Sequence, residues 1–520
     1  MTPPHDPVKQ TRVHIVKGNL YNLFRGRFPE SLTRPFIETS AGGQYSYGDL
    51  ERESACYARF LTGLGLQPGD RVAVQIEKSP AAVFLYLGCL RAGLIYLPLN
   101  PAYRTAEIEY YLDDAAPGAV VCRPSDLSGM RELAGPRGLQ HIYTLDADGQ
   151  GTLAEACQSI DGEYDTRDVA PDDTAVLLYT SGTTGRPKGA MITHGNLAAN
   201  ARALHQAWGW RPDDVLLHAL PLFHIHGLFV ACHCVLLNGT KMILLPKFDV
   251  ATVMQSLPRA TMFMGVPTFY TRLLADPAFS RDVCAHMRLF ISGSAPLLPQ
   301  TFDEFRQRTG HTILERYGMT ETGMNTSNPL DGPRRPGTVG KPLPGVSARI
   351  VNDRDQPLPA GEVGQLQVKG TNVFKGYWRQ PQKTAEDFTA DGYFRTGDLA
   401  RMDDDGYVTI VGRSKDLIIS GGLNIYPKEI ENYLDKIDGV RESAVIGAPH
   451  PDFGEAVVAV VVLAPGREDV TEASMIAALK EKIAGYKVPK RVFFVTDLPR
   501  NTMGKVQKNL LRERYADLPA

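Results

Sequence analysis

The sequence lacks an excess of charge of either sign. Its 520 residues include 56 Lys and Arg against 58 Asp and Glu, so the net charge is −2 with the histidines neutral. A chain without a strong positive charge has no global field that attracts nucleic acid or an anionic membrane surface. We therefore expect neither as a partner, and any anionic ligand must be held by a local group of residues.

Long apolar runs are also missing. The longest clean run, residues 456 to 464, has about half of the roughly 20 residues that cross a bilayer, so no membrane span is predicted. The first residues, MTPPHDPVKQTRVHIVKG, contain prolines and an aspartate but no apolar core of signal-peptide length. We expect a cytoplasmic protein, although an organellar precursor that had lost its leader would look the same.

The cysteines form no framework. Seven are scattered through apolar stretches, at positions 56, 89, 122, 157, 232, 234 and 284, and no Cys-x-x-Cys pair occurs. We expect reduced, mostly buried thiols. The segment HIHGLFVACHC, residues 224 to 234, suggests a zinc site by its composition, but its cysteines lie within an apolar run and are expected to pack rather than coordinate.

What is present indicates a large folded protein. Hydrophobic residues make up 43% of the chain and charged residues 22%, and its length predicts about three to four domains or subdomains. Helix-length segments alternate with short apolar runs such as RVAVQIE (71 to 77), IYLPLN (95 to 100) and GAVVCR (118 to 123), which is typical of parallel α/β units. A Pro- and Gly-rich stretch, 329 to 344, leads into a more β-rich section.

A domain boundary follows YVTIVGR, residues 407 to 413. Beyond it, the pattern predicts a compact α/β unit with a helix near 427 to 437, two apolar strands, a helix capped by Thr471 and a last strand, RVFFVTDL. We predict an α/β fold with an N-terminal body (1–412) and a small, mobile C-terminal cap (413–520). The body combines α/β subdomains with the β-rich section.

The strongest local signal is TAVLLYTSGTTGRPKGA, residues 174 to 190. A buried strand runs into a loop of glycines and hydroxyl residues that ends at Lys188. Glycines let backbone amides turn toward an anion, hydroxyls donate further hydrogen bonds and a lysine adds a point charge, so the loop is predicted to bind phosphate. It is not a Walker A loop, because Pro187 stands where that pattern needs glycine.

This loop resembles the signature loop of the adenylate-forming enzymes, which include acyl-CoA synthetases, peptide-synthetase adenylation domains and luciferases. Other motifs of that family follow in the same order: SGSAPL (292 to 297), ERYGMTE (315 to 321), YFRTGDLA (393 to 400), GRSKDLI (412 to 418) and PRNTMGK (499 to 505). The resemblance spans nearly the whole chain. It implies a ligase that uses ATP and CoA as co-substrates together with Mg²⁺.

The resemblance also implies roles for individual residues in binding ATP and AMP. The residues implied at the phosphates are Thr180, Ser181, Gly182, Thr183, Thr184, Gly185, Lys188 and Thr320. Those implied around adenine are Gly293, Ser294, Ala295, Tyr317, Gly318 and Met319. Asp398 and Arg413 would bind the ribose hydroxyls, and Glu321 would bind Mg²⁺, a cation that prefers oxygen ligands.

Two half-reactions are implied by the resemblance. A carboxylate oxygen first attacks the α-phosphorus of ATP, and the thiol of CoA then displaces AMP from the acyl adenylate. Lys505 is the candidate that neutralises charge between the two anions in the first step. The cap would then rotate about Lys415 and present Ser420, Gly421 and Gly422 to CoA.

The acid pocket is predicted from segments near the adenine site, and its candidate residues are Arg288, His224, Met319 and Ser292. His224 is also a candidate catalytic or gating residue. The stretches RYGMTETGMNTSNP and LPRNTMGKVQK resemble malonyl-CoA synthetases in particular. On that resemblance the substrate is a small dicarboxylate, malonate, and Arg288 would bind its distal carboxylate. The alternative for Arg288 is an ion pair with an acid such as Asp282.

Other functions remain open at this stage. The acid could be methylmalonate or a small monocarboxylate, and the acceptor could be a carrier protein instead of free CoA. A luciferase-type oxygenase and a non-catalytic nucleotide-binding protein would share the fold. The sequence does not distinguish a monomer from a homodimer.

Overall fold

The computed structural model describes residues 18–158, 160, 163–180, 187–420, 423–450, 454–467 and 469–516. The strands of the body are β1 Pro35–Thr39, β2 Gln44–Ser46, β3 Arg71–Gln75, β4 Ile95–Pro98, β5 Ala119–Cys122, β6 Ile142–Thr144, β7 Thr174–Thr180, β8 Lys188–Thr193, β9 Val215–His218, β10 Lys241–Leu244, β11 Met262–Gly265, β12 Leu289–Ser292, β13 Ile313–Met319, β14 Gly323–Ser327, β15 Lys341–Pro342, β16 Val346–Val351, β17 Gly364–Gly370, β18 Gly376–Tyr377, β19 Phe394–Met402 and β20 Val408–Arg413. Those of the cap are β21 Ile418–Ser420, β22 Leu423–Ile425, β23 Val440–His450, β24 Gly454–Leu463 and β25 Arg491–Phe494.

The helices lie between these strands. They are α1 Leu20–Arg25, α2 Tyr47–Gly63, α3 Pro80–Ala92, α4 Thr105–Ala115, α5 Leu127–Ala134, α6 Thr152–Cys157, α7 His194–Trp208, α8 His233–Asn238, α9 Val250–Ser256, α10 Pro267–Ala275, α11 Pro299–Thr309, α12 Pro381–Asp387, α13 Pro427–Leu434, α14 Glu472–Lys480 and α15 Lys508–Arg514. A π-helical segment, His226–Cys232, leads directly into α8.

Two large sheets form the body. In the described residues, one has nine strands in the order β15-β14-β13-β12-β11-β9-β10-β1-β2, and its strands from β13 to β1 are parallel. The other has seven, in the order β18-β8-β7-β4-β3-β5-β6, and is parallel from β7 to β6. Central strands such as β12 are buried throughout, as parallel strands covered on both faces must be.

Both large sheets contribute to one main core. Val72 of β3 and Leu216 of β9 belong to the same buried cluster, and smaller clusters cover the outer face of each sheet. The β-rich section is an antiparallel sheet of four strands in the described chain, β16-β17-β19-β20. It follows the Pro- and Gly-rich stretch, as predicted.

The cap has its own sheet and two cores. Its strand order in the described residues is β22-β21-β24-β23, with β25 parallel to β24. Helices α13 and α14 pack on one face through Ile430 and Leu479, and α15 packs on the other through Leu511. Thr471 caps α14, as predicted. The predicted α/β class, with a large body, a β-rich section and a small C-terminal domain, is confirmed.

The described part of the chain contains no helix that is both long and apolar enough to cross a membrane. All seven cysteines are free and buried, as predicted. Cys232 and Cys234 pack in the main core of the body.

Candidate active site

The candidate site is a cleft where the carboxyl ends of strands from both large sheets meet. Strand β7 ends at Thr180, β12 ends at Ser292 and β13 ends at Met319. The hydroxyl of Thr180 lies 3.4 Å from Oε1 of Glu321, which links β7 to the turn that follows β13. Ligands of open parallel sheets bind outside the carboxyl ends of the strands, so a binding site is expected at this edge.

Most of the predicted nucleotide residues lie along this cleft. Gly293, Ser294 and Ala295 follow β12, whereas Tyr317, Gly318 and Met319 end β13 and precede Thr320 and Glu321. Ser181, Gly182, Thr183, Thr184 and Gly185, together with Gly421 and Gly422 of the predicted CoA group, lie outside the described residues. Lys415 lies in the short 3-10 turn Ser414–Asp416, and Ser420 ends β21.

Tyr317, Asp398 and Arg413 form a hydrogen-bonded group that joins three strands. The hydroxyl of Tyr317 donates to Oδ2 of Asp398 at 2.5 Å, and Nε of Arg413 lies 3.0 Å from Oδ1 of the same carboxylate. Burial, reinforced by Asp398, raises the pKa of Tyr317 well above its usual value, so its hydroxyl stays a donor. A carboxylate and a guanidinium held beside a tyrosine ring suit a nucleoside. Their predicted roles at adenine and ribose stay predictions.

Glu321 provides the carboxylate expected for a cation. Its side chain is buried, and it accepts hydrogen bonds from the hydroxyls of Tyr377, at 3.2 Å, and Thr180. Burial raises the pKa of Glu321, and the hydrogen bonds from Tyr377 and Thr180 and the charge of Arg413 only partly offset that effect. A buried carboxylate beside a hydroxyl oxygen fits Mg²⁺, so these two groups could hold the ion with the phosphates of ATP.

Tyr377 is a site residue that sequence reasoning missed. The centroid of its ring lies 4.9 Å from Nζ of Lys188, and its hydroxyl donates a hydrogen bond to Glu321. Tyr377 therefore stands between the two predicted charged groups. It belongs to β18, the edge strand paired with β8. No motif singled it out, because only the pairing of β18 with β8 brings it to the cleft.

Lys505 enters the cleft from the cap. The charged groups that act on its ammonium are Asp398, Arg413, Lys415 and Asp416, all outside its own loop. The surrounding protein lowers the pKa of Lys505 to about 8, first by burial and then through Arg413, while Asp398 and Asp416 partly offset the effect. Lys505 is nevertheless exposed to solvent in this orientation. The cap is thus oriented with its lysine within electrostatic range of Asp398 and Arg413.

Arg288 corrects one prediction. It stands immediately before β12, at the amino end of the strand, and Ser292 at the carboxyl end is four residues away, about 13 Å along an extended chain. Its guanidinium forms a bidentate pair with Asp214, at 3.0 Å and 2.5 Å. The predicted contact of Arg288 with the acid is therefore wrong, and the predicted alternative partner, Asp282, is also not the one observed.

Arg316 is the arginine that lies beside the pocket. It is buried within β13, and among the described residues its Nε and Nη2 atoms have no hydrogen-bond partner. Its guanidinium lies over Gly293, where a Cβ would come within 2.3 Å of Cζ. Burial lowers the pKa of Arg316 to about 9, so it is still a cation near neutral pH. A buried cation without a partner is costly unless an anion binds to it.

Two histidines share this positive field. Burial and the neighbouring Arg316 lower the pKa of His224 to about 4 and that of His226 well below its usual value, so both are neutral at pH 7. Nδ1 of His224 accepts a hydrogen bond from the backbone N–H of His226 at 3.2 Å. The proton of neutral His224 is therefore assigned to Nε2, which makes that atom a donor for a ligand.

Other polar groups line the same end of β12. The hydroxyl of Ser292 is buried and has no partner among the described residues. Nδ1 of His226 lies 3.3 Å from the hydroxyl of Ser294, a residue with a positive φ of 70°. The π-helical segment begins at His226, and such segments are frequent at functional sites. The predicted pocket residues Ser292 and His224 thus lie near Arg316, not Arg288.

Comparison with known proteins identifies the family of the chain. The family model for AMP-binding enzymes matches residues 29–378, and the model for the C-terminal domain of AMP-binding enzymes matches residues 429–505. The first match lies within the body and the second lies within the cap.

Relatives and solved structures cover nearly the whole chain. The mitochondrial malonate–CoA ligase of Mus musculus is 36% identical, over 91% of this chain and 87% of its own. Feruloyl-CoA synthase of an Amycolatopsis species is 37% identical, over 91% and 94%. The crystal structure of ATP-bound MatB from Rhodopseudomonas palustris superposes with a TM-score of 0.93 at 53% identity, covering 96% of this chain and 99% of that one. The chain belongs to the AMP-binding enzyme family.

Proposed function

We propose that this protein is an ATP-dependent ligase that joins malonate to coenzyme A and forms AMP and pyrophosphate. The observation that carries the choice of acid is Arg316, a buried guanidinium with unpartnered nitrogens beside the cleft. A second carboxylate on the substrate would pair with this cation, and the Nε2–H of His224 could donate to the same anion.

The charge of Arg316 separates two acids named among the relatives. Malonate has a second carboxylate that can form charge-assisted hydrogen bonds, each contributing about 1.5–3 kcal/mol. Ferulate has no second charge, so Arg316 would stay buried and unpaired in its complex. The mouse relative is named for malonate and the Amycolatopsis relative for feruloyl-CoA, and the arginine favours the first.

In the first half-reaction, a carboxylate oxygen of the acid forms a bond to the α-phosphorus of ATP while the bond from that phosphorus to the bridging oxygen of pyrophosphate breaks. Lys505 places an ammonium between the two anions and stabilises the charge that develops there. Lys188 would bind the phosphates, and Tyr377 holds both Lys188 and Glu321 in place. Mg²⁺ at Glu321 would neutralise charge on the departing pyrophosphate.

In the second half-reaction, the thiol of CoA loses its proton to solvent and its sulfur bonds to the acyl carbon. The bond from that carbon to the phosphate oxygen breaks, and AMP leaves with the electron pair. Lys505 lies within electrostatic range of Asp398 and Arg413 in the present orientation, and in the proposed reaction the cap moves before CoA attacks. Ile419 and Leu423, on the hairpin of the cap predicted to face CoA, are 53% and 47% exposed. An apolar face left in solvent suits a surface that becomes covered after rotation.

The location proposed for the protein is the cytoplasm. The mouse relative is named as mitochondrial, so an organelle is the alternative location. Fractionation of the source cells with an antibody to this chain would test the location.

The proposed reaction is tested by measuring pyrophosphate release with ATP and Mg²⁺ for acetate, malonate, methylmalonate, succinate, octanoate, benzoate and ferulate, with and without CoA. We expect malonate to give the highest kcat/KM and the thioester to form only with CoA. A preference for a monocarboxylate would reject malonate while keeping the ligase, and no release with any acid would reject both.

A further inference from the structure

The loop that carries Lys505 is attached to the body through one buried side chain. Met503 is 4% exposed and belongs to the main core cluster of the body. Among the described residues after Arg413, it is the only buried member of that cluster. The other buried apolar side chains of the cap, apart from Ala456, pack in the two cores of the cap. Met503 therefore crosses from one domain into the core of the other.

The backbone next to Met503 also lies against the body. Gly504 has a φ of 75°, and a Cβ at this position would come within 3.1 Å of Oγ1 of Thr268, in the first turn of α10. Glycine adopts this conformation without strain and leaves room for the close approach. The loop thus contacts the body at two consecutive residues.

Hydrogen bonds within the loop fix Lys505 relative to Met503. The side-chain oxygen of Asn501 accepts from the backbone N–H groups of Met503 and Lys505, both at 3.0 Å. The backbone N–H of Asn501 donates to the carbonyl oxygen of Lys505 at 2.9 Å. These bonds hold the loop together as a single unit. The buried position of the Met503 side chain in the body therefore determines where the Lys505 ammonium lies.

We infer that Met503 is a positioning residue for the first half-reaction. Its side chain holds the cap in the orientation that places Lys505 beside Asp398 and Arg413, and it must leave the core of the body before the second half-reaction. This inference rests on the proposed two-step ligase reaction. It assigns to Met503 no contact with substrate, so its effect must act through the place of Lys505.

The test compares Met503→Ala with Met503→Leu. Loss of most of the buried side chain weakens the docking of the cap, and we expect Met503→Ala to slow pyrophosphate release by about 10- to 100-fold. Thioester formation from the purified acyl adenylate should keep the wild-type rate. Leucine is apolar and similar in volume, so Met503→Leu should keep most of the first-step rate. Leu510→Ala, which trims a side chain 40% exposed on the cap, is the matched control and should change neither step.

Two outcomes would overturn the inference. Pyrophosphate release by Met503→Ala at the wild-type rate would show that the side chain does not hold the cap. Equal slowing of both half-reactions would show a general structural role. The assay uses whichever acid the wild-type protein activates best, so an error in the assignment of malonate leaves the comparison intact.

A second measurement needs no activity. Dilute hydrogen peroxide oxidises exposed methionines faster than buried ones. With ATP and Mg²⁺ bound, Met503 should be oxidised as slowly as Met475, which lies in a core of the cap. Peptide mass spectrometry reads both residues in one digest, and oxidation of Met503 at the rate of an exposed methionine would contradict the docking.

Discussion

Arg316→Met and Arg288→Met should have opposite effects on the preference for malonate and on the free energy of unfolding. Arg316→Met removes the cation proposed to bind the second carboxylate. With two charge-assisted hydrogen bonds of about 1.5–3 kcal/mol each, the loss is about 3–6 kcal/mol, or roughly 10²- to 10⁴-fold in kcat/KM for malonate. The rate with propionate, which has no second carboxylate, should not fall.

The same pair should differ in stability. Without ligand, Arg316 is a buried cation with unpartnered nitrogens, so Arg316→Met should leave the free energy of unfolding unchanged or raise it. Arg288→Met removes the partner of Asp214, whose side chain is 2% exposed, and should lower it by about 3–5 kcal/mol. Hydrogen bonds to Asp214 from Thr261 and the backbone N–H of Arg211 favour the lower end of that range.

The assays are urea unfolding of the ligand-free proteins and pyrophosphate release with malonate and propionate. The reasoning would be refuted if Arg316→Met destabilised the protein as Arg288→Met does and still preferred malonate. It would also be refuted if Arg288→Met lost that preference while remaining folded.

The remaining predictions concern the two half-reactions and the phosphate end of the cleft. The pKa of Lys505 is about 8 and the cation is the active form, so the rate of pyrophosphate release should fall as the pH rises through about 8. Lys505→Ala should abolish most of the rate and remove this fall at high pH from the pH profile. Tyr377→Phe loses the hydrogen bond to Glu321 and should raise the KM for MgATP by about 10-fold, measured by titration at saturating acid. Lys415→Ala, at the predicted hinge, should slow thioester formation more than pyrophosphate release, and equal slowing of both would contradict the hinge role.

The sequence predicts local parts of this site well. The apolar strand before Thr180, the capped α14 and the β-rich section follow from short-range patterns, which act within a few residues. The motifs also named Tyr317, Asp398 and Arg413, which the structure brings into one hydrogen-bonded group.

The prediction for Arg288 was wrong because the direction of a strand decides at which end of the sheet a side chain lies. Arg288 comes before β12, so it lies at the amino end, whereas the cleft is at the carboxyl ends. That direction follows from the parallel sheet and could have excluded Arg288. Arg316 did carry a signal, because it is a cation inside the buried strand ILERYGM, where a charge needs a partner.

Contacts between distant parts of the chain could not be predicted. Tyr377 reaches Lys188 only through the pairing of β18 with β8. Met503 enters the core of the body only because the cap takes this orientation. Neither contact leaves a pattern in the sequence near the residue, since each depends on packing between elements far apart in the chain.

The central claim is that a buried arginine selects an acid with two carboxylates. The most direct test is the ratio of kcat/KM for malonate to that for its monoamide, malonamate, measured by pyrophosphate release on the wild-type protein. The two acids have nearly the same shape, but the amide lacks the second charge. We predict a ratio of about 10² to 10⁴ in favour of malonate. A ratio near one would show that Arg316 binds no carboxylate of the substrate.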